Sequence, residues 1–248
     1  MTATYNPYLV VVSALVAILA SYTALDVAGR VATAPAVDRK MWLVGGAVSM
    51  GIGIWSMHFL GMLAFSLPIS ISYNFLLTAV SLIAAILASG LALSLVSRPK
   101  VNLSTLLTSA TFMGVGIGVM HYVGMAAMEM GATIRYKPTL FLLSVVLAVV
   151  VSTVALKLFL KFRRQTGGAN KPLQVISAIV MGSGILALHY TGMAAAQFEA
   201  NSRNIAQYGM DASSLTFWVA VFTFGILGVT LLIAADAADK ADAQNSIR

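Results

Sequence analysis

Between Met41 and Ser97 the chain carries no Asp, Glu, Lys or Arg, a run of 57 residues. At 1.5 Å of rise per residue, a helix crosses a ~30 Å hydrocarbon core in about 20 residues. The run therefore holds two crossings. The break between them falls at Leu67-Pro68-Ile69-Ser70-Ile71-Ser72-Tyr73-Asn74, where proline and polar residues make a tight external turn. Leu9 to Ala24 supplies an earlier span, and uncharged runs at Val101 to Met128, Pro138 to Leu156, Pro172 to Phe198 and Ala212 to Ala235 supply four more. The fold class is an all-α integral membrane protein with seven transmembrane helices in the lipid bilayer. Only 9% of the residues are charged and 59% are apolar, whereas a soluble domain carries about 25% charged residues.

The first span is not a cleaved signal. No Lys or Arg precedes it, and the small-residue run Ala32-Thr33-Ala34 lies too far beyond its apolar core to be a cleavage site. Asp26 and Arg30 stand four apart where this helix leaves the membrane, an ordinary surface ion pair without chemistry of its own.

Orientation comes from the cations. Arg30, Arg39, Lys40, Arg98, Lys100, Lys157, Lys161, Arg163, Arg164, Lys171, Lys240 and Arg248 fall on one side, and Arg135, Lys137 and Arg203 on the other. The positive-inside rule places the first group in the cytoplasm, the N-terminus outside and the C-terminus inside. The net charge of +7 thus reflects topology, and no nucleic-acid partner is expected.

An internal repeat runs through this pattern. Met57-His58-Phe59-Leu60-Gly61-Met62, Met120-His121-Tyr122-Val123-Gly124-Met125 and Leu188-His189-Tyr190-Thr191-Gly192-Met193 hold all three histidines of the chain. Upstream, Met50, Met113 and Met181 recur at one offset, as do the glycine pairs Gly51 and Gly53, Gly114 and Gly116, and Gly182 and Gly184. These glycines read as close helix-contact points. The arrangement is three two-helix repeats plus one extra helix, with the histidines on helices two, four and six. Measured from Lys40, Lys100 and Lys171, each histidine lies about 27–32 Å along its helix. All three therefore share one level near the outer boundary of the membrane, and an ionisable group at such depth normally faces the bundle interior and marks a function.

Met62, Met125 and Met193 stand at i+4 from the histidines, one turn on along the same face. Imidazole with thioether, and no carboxylate nearby, is a copper ligand set, above all for Cu(I). Met57 and Met120 precede their histidines directly, about 100° round the helix, and are weaker candidates, with Leu188 standing at the third such position. The structural alternative is a hydrogen-bonded histidine cluster with methionines as packing filler. On a continued helix Glu129 and Glu199 lie about 12 and 15 Å beyond His121 and His189, too far to ligate. The absence of cysteine excludes zinc-thiolate, iron–sulfur and c-type haem sites.

Met120-His121-Tyr122 with Gly124 and Met125 resembles the signature of the MHYT domain, a bacterial seven-helix integral-membrane sensor module, and the resemblance covers Leu9 to about Ala235. It departs from the signature at Phe59, Leu60, Val123 and Leu188, none of which removes a histidine or an i+4 methionine. The resemblance implies a multi-pass protein of the bacterial inner membrane and copper held near the outer face by His and Met residues. It also implies sensing of a diatomic gas such as O2, CO or NO and a cytoplasmic cyclic-di-GMP output domain of the GGDEF/EAL type. A homodimer is compatible with it, and no catalysis is expected of this chain. The expected division is a sensor domain over residues 1–235 and the start of a signalling helix or linker over 236–248, belonging to a longer protein.

Competing classes remain at this stage. A copper transporter or channel suits thioethers, although the ligands gather at one level. A b-type haem protein can use two of the histidines. A retinal receptor lacks its Schiff-base lysine, since none lies between Ser214 and Ala235.

Overall fold

The computed structural model describes residues 1–98, 100–163, 171–200 and 209–246. Within them run seven helices: α1 (Pro7–Thr33), α2 (Ala36–Ala64), α3 (Phe75–Val96), α4 (Leu103–Ala126), α5 (Pro138–Arg163), α6 (Lys171–Ala195) and α7 (Ala212–Ser246). All seven are long and apolar enough to cross a membrane, which makes this a multi-pass membrane protein. Their starts are set locally. Asn6, Asn74 and Asn102 cap α1, α3 and α4, each accepting from a backbone N–H in the first turn at 2.8–3.1 Å. Pro7 and Pro138 occupy first helical positions, where the missing N–H has no partner to lose. Large apolar side chains such as Leu76, Leu87, Leu142 and Phe224 point outward, as lipid-facing positions should.

Helices α1 to α6 close a ring in which each packs on the next and α6 returns to α1, while α2 also meets α4 and α6 across the middle. Helix α7 lies outside this ring against α2 and α1. Consequently α2 is enclosed over 78% of its span and α7 over 22%. The paired glycines make the close contacts expected of them. A Cβ on Gly51, Gly114 or Gly182 would stand 2.6–2.7 Å from Ile86 of α3, Val149 of α5 or Ile18 of α1, so only glycine admits the neighbouring helix. Gly53, Gly116 and Gly184 face Ala20, Ala88 and Val151 on the preceding helix in each case. The Asp26–Arg30 pair forms at 2.8 Å at the end of α1.

Short strands cap the bundle at one end. Strand β1 (Thr4–Tyr5) pairs with β2 (Phe65–Ser66), β3 (Ile71–Tyr73) with β4 (Met128–Met130), and β5 (Ala132–Tyr136) with β6 (Ala196–Ala200), all antiparallel. Each ladder joins the segment entering an odd-numbered helix to the segment leaving the next helix. Just inside each ladder the N–H of Asn6, Asn74 or Lys137 donates to the carbonyl of Ala64, Ala127 or Ala195 at 2.7–2.9 Å.

The strands correct the sequence reading at three places. The turn expected over Leu67–Asn74 contains β3, and the runs expected to stay helical to Met128 and Phe198 stop at Ala126 and Ala195. The backbone of β4 and β6 exchanges helical hydrogen bonds for ladder bonds to strands about 60 residues earlier. Glu129 and Glu199 are therefore on strands and not on continued helices. The Glu129 carboxylate accepts from Asn74 Nδ2 at 2.9 Å, and Glu199 pairs with Arg135 at 3.0 Å. Arg164, Arg203 and Arg248, used in the charge comparison, lie outside the described residues.

Candidate metal centre

The three histidines come together on the bundle axis, each within two turns of the end of its helix on the strand-capped side. Their ring centroids are 4.8 Å (His58–His121), 5.1 Å (His58–His189) and 5.3 Å (His121–His189) apart, with the rings edge to face. His58 Nδ1 lies 3.1 Å from Nδ1 of both His121 and His189. All three side chains are at most 2% exposed. Among the described residues they form a group of three nitrogens within 4.8 Å of one another.

What brings the rings inward is the glycine three residues after each histidine. His58 Nε2 abuts Gly124 of α4, His121 Nε2 abuts Gly192 of α6, and His189 Nε2 abuts Gly61 of α2, at a separation that leaves no room for a Cβ. The order is cyclic, each imidazole lying in the glycine notch of the next helix. The backs of the rings are thereby sealed, and among the described residues none of the three Nε2 atoms has a hydrogen-bond partner. Three neutral imidazoles carry three protons on six nitrogens. Protons on Nε2 leave three lone pairs facing one another at the centre, whereas protons on Nδ1 crowd it with more hydrogens than it can use. A mixed set, with His58 protonated on Nδ1 and the other two on Nε2, satisfies the centre by hydrogen bonds, and a cation among the Nδ1 atoms satisfies it with every proton on Nε2. Two nitrogens bound tetrahedrally at 2.0–2.1 Å stand about 3.3 Å apart, close to the 3.1 Å found here. The two pairs made by His58 therefore suit ligands of one ion, with all three nitrogens within 4.8 Å of one another, and the contact is too tight for a macrocycle to enter between the rings.

The candidate methionines lie on the same three helices. Met62, Met125 and Met193 lie one turn beyond the histidines toward the capped end and are buried, as are Met57 and Met120. Leu188 is buried at the position equivalent to the last two, so an apolar side chain of that size packs there on all three helices.

Residues to which the sequence reading gave no role hold the rings. The side chain after each histidine stands edge-on to it: Phe59 at 4.9 Å, Tyr122 at 4.8 Å and Tyr190 at 4.8 Å. Behind them are buried serines on the odd-numbered helices. Ser13, Ser81 and Ser144 each donate to a carbonyl three residues back at 2.7 Å, which leaves the hydroxyl oxygen free to accept. Tyr122 Oη fills that role for Ser144 at 2.6 Å, and Tyr190 Oη lies 3.4 Å from Ser13. Phe59 has no hydroxyl, and Trp55 Nε1 donates to Ser81 at 3.0 Å in its place. The departure at Phe59 is thus matched by a tryptophan on the preceding turn. The aromatic directly after each histidine was the sequence signal for these supports, whereas Ser13, Ser81 and Ser144 hold no single offset common to all three of the histidines they serve.

Comparison with known proteins places the chain in a family. A sequence model of the MHYT family, described as "Bacterial signalling protein N terminal repeat", matches residues 51–109 and 114–169. The chain is 45% identical over 236 residues to the bifunctional diguanylate cyclase/cyclic di-GMP phosphodiesterase MucR of Pseudomonas aeruginosa, covering 94% of this chain and 34% of that protein. It is 41% identical over 192 residues to the cyclic di-GMP phosphodiesterase NbdA of the same organism, covering 77% and 24%. It is 36% identical over 240 residues to the signaling protein YkoW of Bacillus subtilis, covering 96% and 30%. The chain thus spans about a third or less of the length of these relatives. No solved structure matches it. With three histidine segments, seven apolar helices and this set of relatives, the chain belongs to the MHYT family of bacterial signalling proteins.

Proposed function

We propose that this chain is the membrane sensor region of a cyclic-di-GMP signalling protein. Its His58–His121–His189 cluster, with Met62, Met125 and Met193 one turn away, holds copper. The bundle is three two-helix repeats plus α7, oriented in the inner membrane with the capped end and the cluster outside and the C-terminus in the cytoplasm. The single observation that carries the reading is the convergence of three buried Nδ1 atoms, 3.1 Å apart where measured from His58, with no carboxylate among them. Imidazole backed by thioether selects copper over Mg, Ca or Mn, and bound copper would supply a redox-active centre able to take a diatomic gas such as O2, CO or NO. Two buried faces of the site support sensing. The first is the glycine-notched cluster, whose tight fit makes ring position sensitive to occupancy. The second is a run of aromatic contacts from His58 through Phe59 and Trp55 to Phe222 on α7, at centroid distances of 4.9, 4.8 and 6.2 Å. Helix α7 is the element that leads toward the C-terminus, and the matched family is described as an N-terminal repeat of bacterial signalling proteins, among whose relatives MucR and NbdA are by name a cyclase/phosphodiesterase and a phosphodiesterase.

The test is metal analysis of protein purified without affinity metals, joined to its visible spectrum before and after exposure to CO and NO. Copper bound by the wild type and lost in His121→Ala supports the reading. A copper-free protein after copper loading overturns it, and a Soret band would replace copper by haem. Copper flux into liposomes would instead favour a channel.

A further inference from the structure

The histidines are at most 2% exposed, so whatever binds them first crosses protein. One route lies beside each histidine, and the three differ. Beside His58, Phe59 is fully buried between Trp55 and Tyr73, and Met62 is 0% exposed. Beside His121, Tyr122 is covered by Tyr136 and Phe141 at 5.1 and 4.6 Å, tied to Ser144 at 2.6 Å, and Met125 is 0% exposed. Beside His189, Tyr190 stands edge-on to Tyr5 at 5.8 Å and Met193 is 3% exposed, but both line an open pocket. A cavity of about 590 Å³ runs from the strand-capped surface, where Tyr5 is 41% and the Glu199 side chain 57% exposed, down past Phe65 and Tyr190 to Met193. The Tyr190 hydroxyl is 3.4 Å from Ser13, slack beside the 2.6 Å of the Tyr122–Ser144 pair.

We propose that this cavity is the port through which Cu(I) reaches and leaves the histidine cluster, with Met193 the first thioether it meets. The ligand rests on the copper reading, whereas the port rests on geometry alone. A soft thioether takes Cu(I) without releasing a proton and holds it weakly enough to pass it on. Met193 lies one turn from His189 on the same helix face, so transfer to imidazole needs no helix movement. The three His/Met pairs are then unequal in kinetics although they repeat in sequence. Met62 and Met125 are enclosed, and Met193 is the exchange position.

The chain contains no cysteine, so a single introduced thiol reports its own accessibility. On the purified protein in detergent, Met193→Cys and Ala196→Cys should react with a charged methanethiosulfonate, and Met62→Cys and Met125→Cys should not. Ala196→Trp narrows the cavity while leaving every histidine and methionine in place. It should slow both Cu(I) loading and its removal by a chelator, with final copper content unchanged. An unreactive thiol at 193 in folded protein, or equal reactivity at 62, 125 and 193, overturns the port. If Met193→Cys fails to fold, the Ala196→Trp kinetics decide, and unchanged loading rates overturn it. Selective labelling at 193 in a protein that binds no copper rejects Cu(I) as the occupant without touching the geometry.

Discussion

Gly124→Ala separates the site from the fold with one methyl group. The added Cβ falls against Nε2 of His58, and the ring must retreat by roughly 1 Å to regain ordinary contact. It has little freedom to do so, because its Nδ1 lies 3.1 Å from both other histidines. A push of that size from behind the ring would force these separations well below the ~3.3 Å at which two nitrogens share one ion, so the imidazole must instead turn out of the cluster. Overpacking of this kind costs about 1–3 kcal/mol, and the helix propensity gained over glycine returns up to about 1 kcal/mol. The net destabilisation is therefore about 3 kcal/mol at most, while copper binding should be largely lost. Gly118→Ala on the same helix is the control, since its Cβ would have no atom within 4 Å. It should be neutral or stabilising and keep its copper. Thermal unfolding in detergent and copper-to-protein ratio, measured on both variants, make the comparison. Full copper in Gly124→Ala, or equal loss in both, would refute the notch argument.

His121→Ala should strip most of the copper, whereas Met125→Leu should retain the fold within about 1.5 kcal/mol and weaken Cu(I) retention or shift the redox potential; unchanged copper in all three single His→Ala variants would leave only a hydrogen-bonded cluster. Glu129→Gln and Glu199→Gln should keep their metal, because these carboxylates are engaged with Asn74 and Arg135. Glu129→Ala should lower stability by about 1.5–3 kcal/mol, as expected for a hydrogen bond to a charged group, read as a shift in unfolding temperature without metal loss. A reporter fused after Arg248 should report cytoplasm and one inserted between Pro68 and Ser72 the outside; the opposite result reverses the placement of the cluster.

Seven spans could be read directly because hydrophobic run length is a local property, and the level of the histidines followed from rise per residue. The helix-contact glycines were legible for the same reason, recurring at Gly51, Gly114 and Gly182 in fixed register with the histidines. The candidate ligands His58, His121 and His189 were named by repetition, and the three-dimensional structure brings them to one point. Other features depended on chain segments far apart in sequence. The ends of α4 and α6 moved because β4 and β6 found partners in β3 and β5, and no local pattern announces a partner about 60 residues away. The glycines at 61, 124 and 192 stood within the motif, yet their role as beds for the imidazole of the next helix exists only once three helices share an axis. The opening beside Met193 is likewise tertiary. Near-identical segments receive different neighbours when the ring of helices closes, because side chains packed from outside the repeat, such as Tyr5 here and Tyr136 at the second copy, decide which position is sealed.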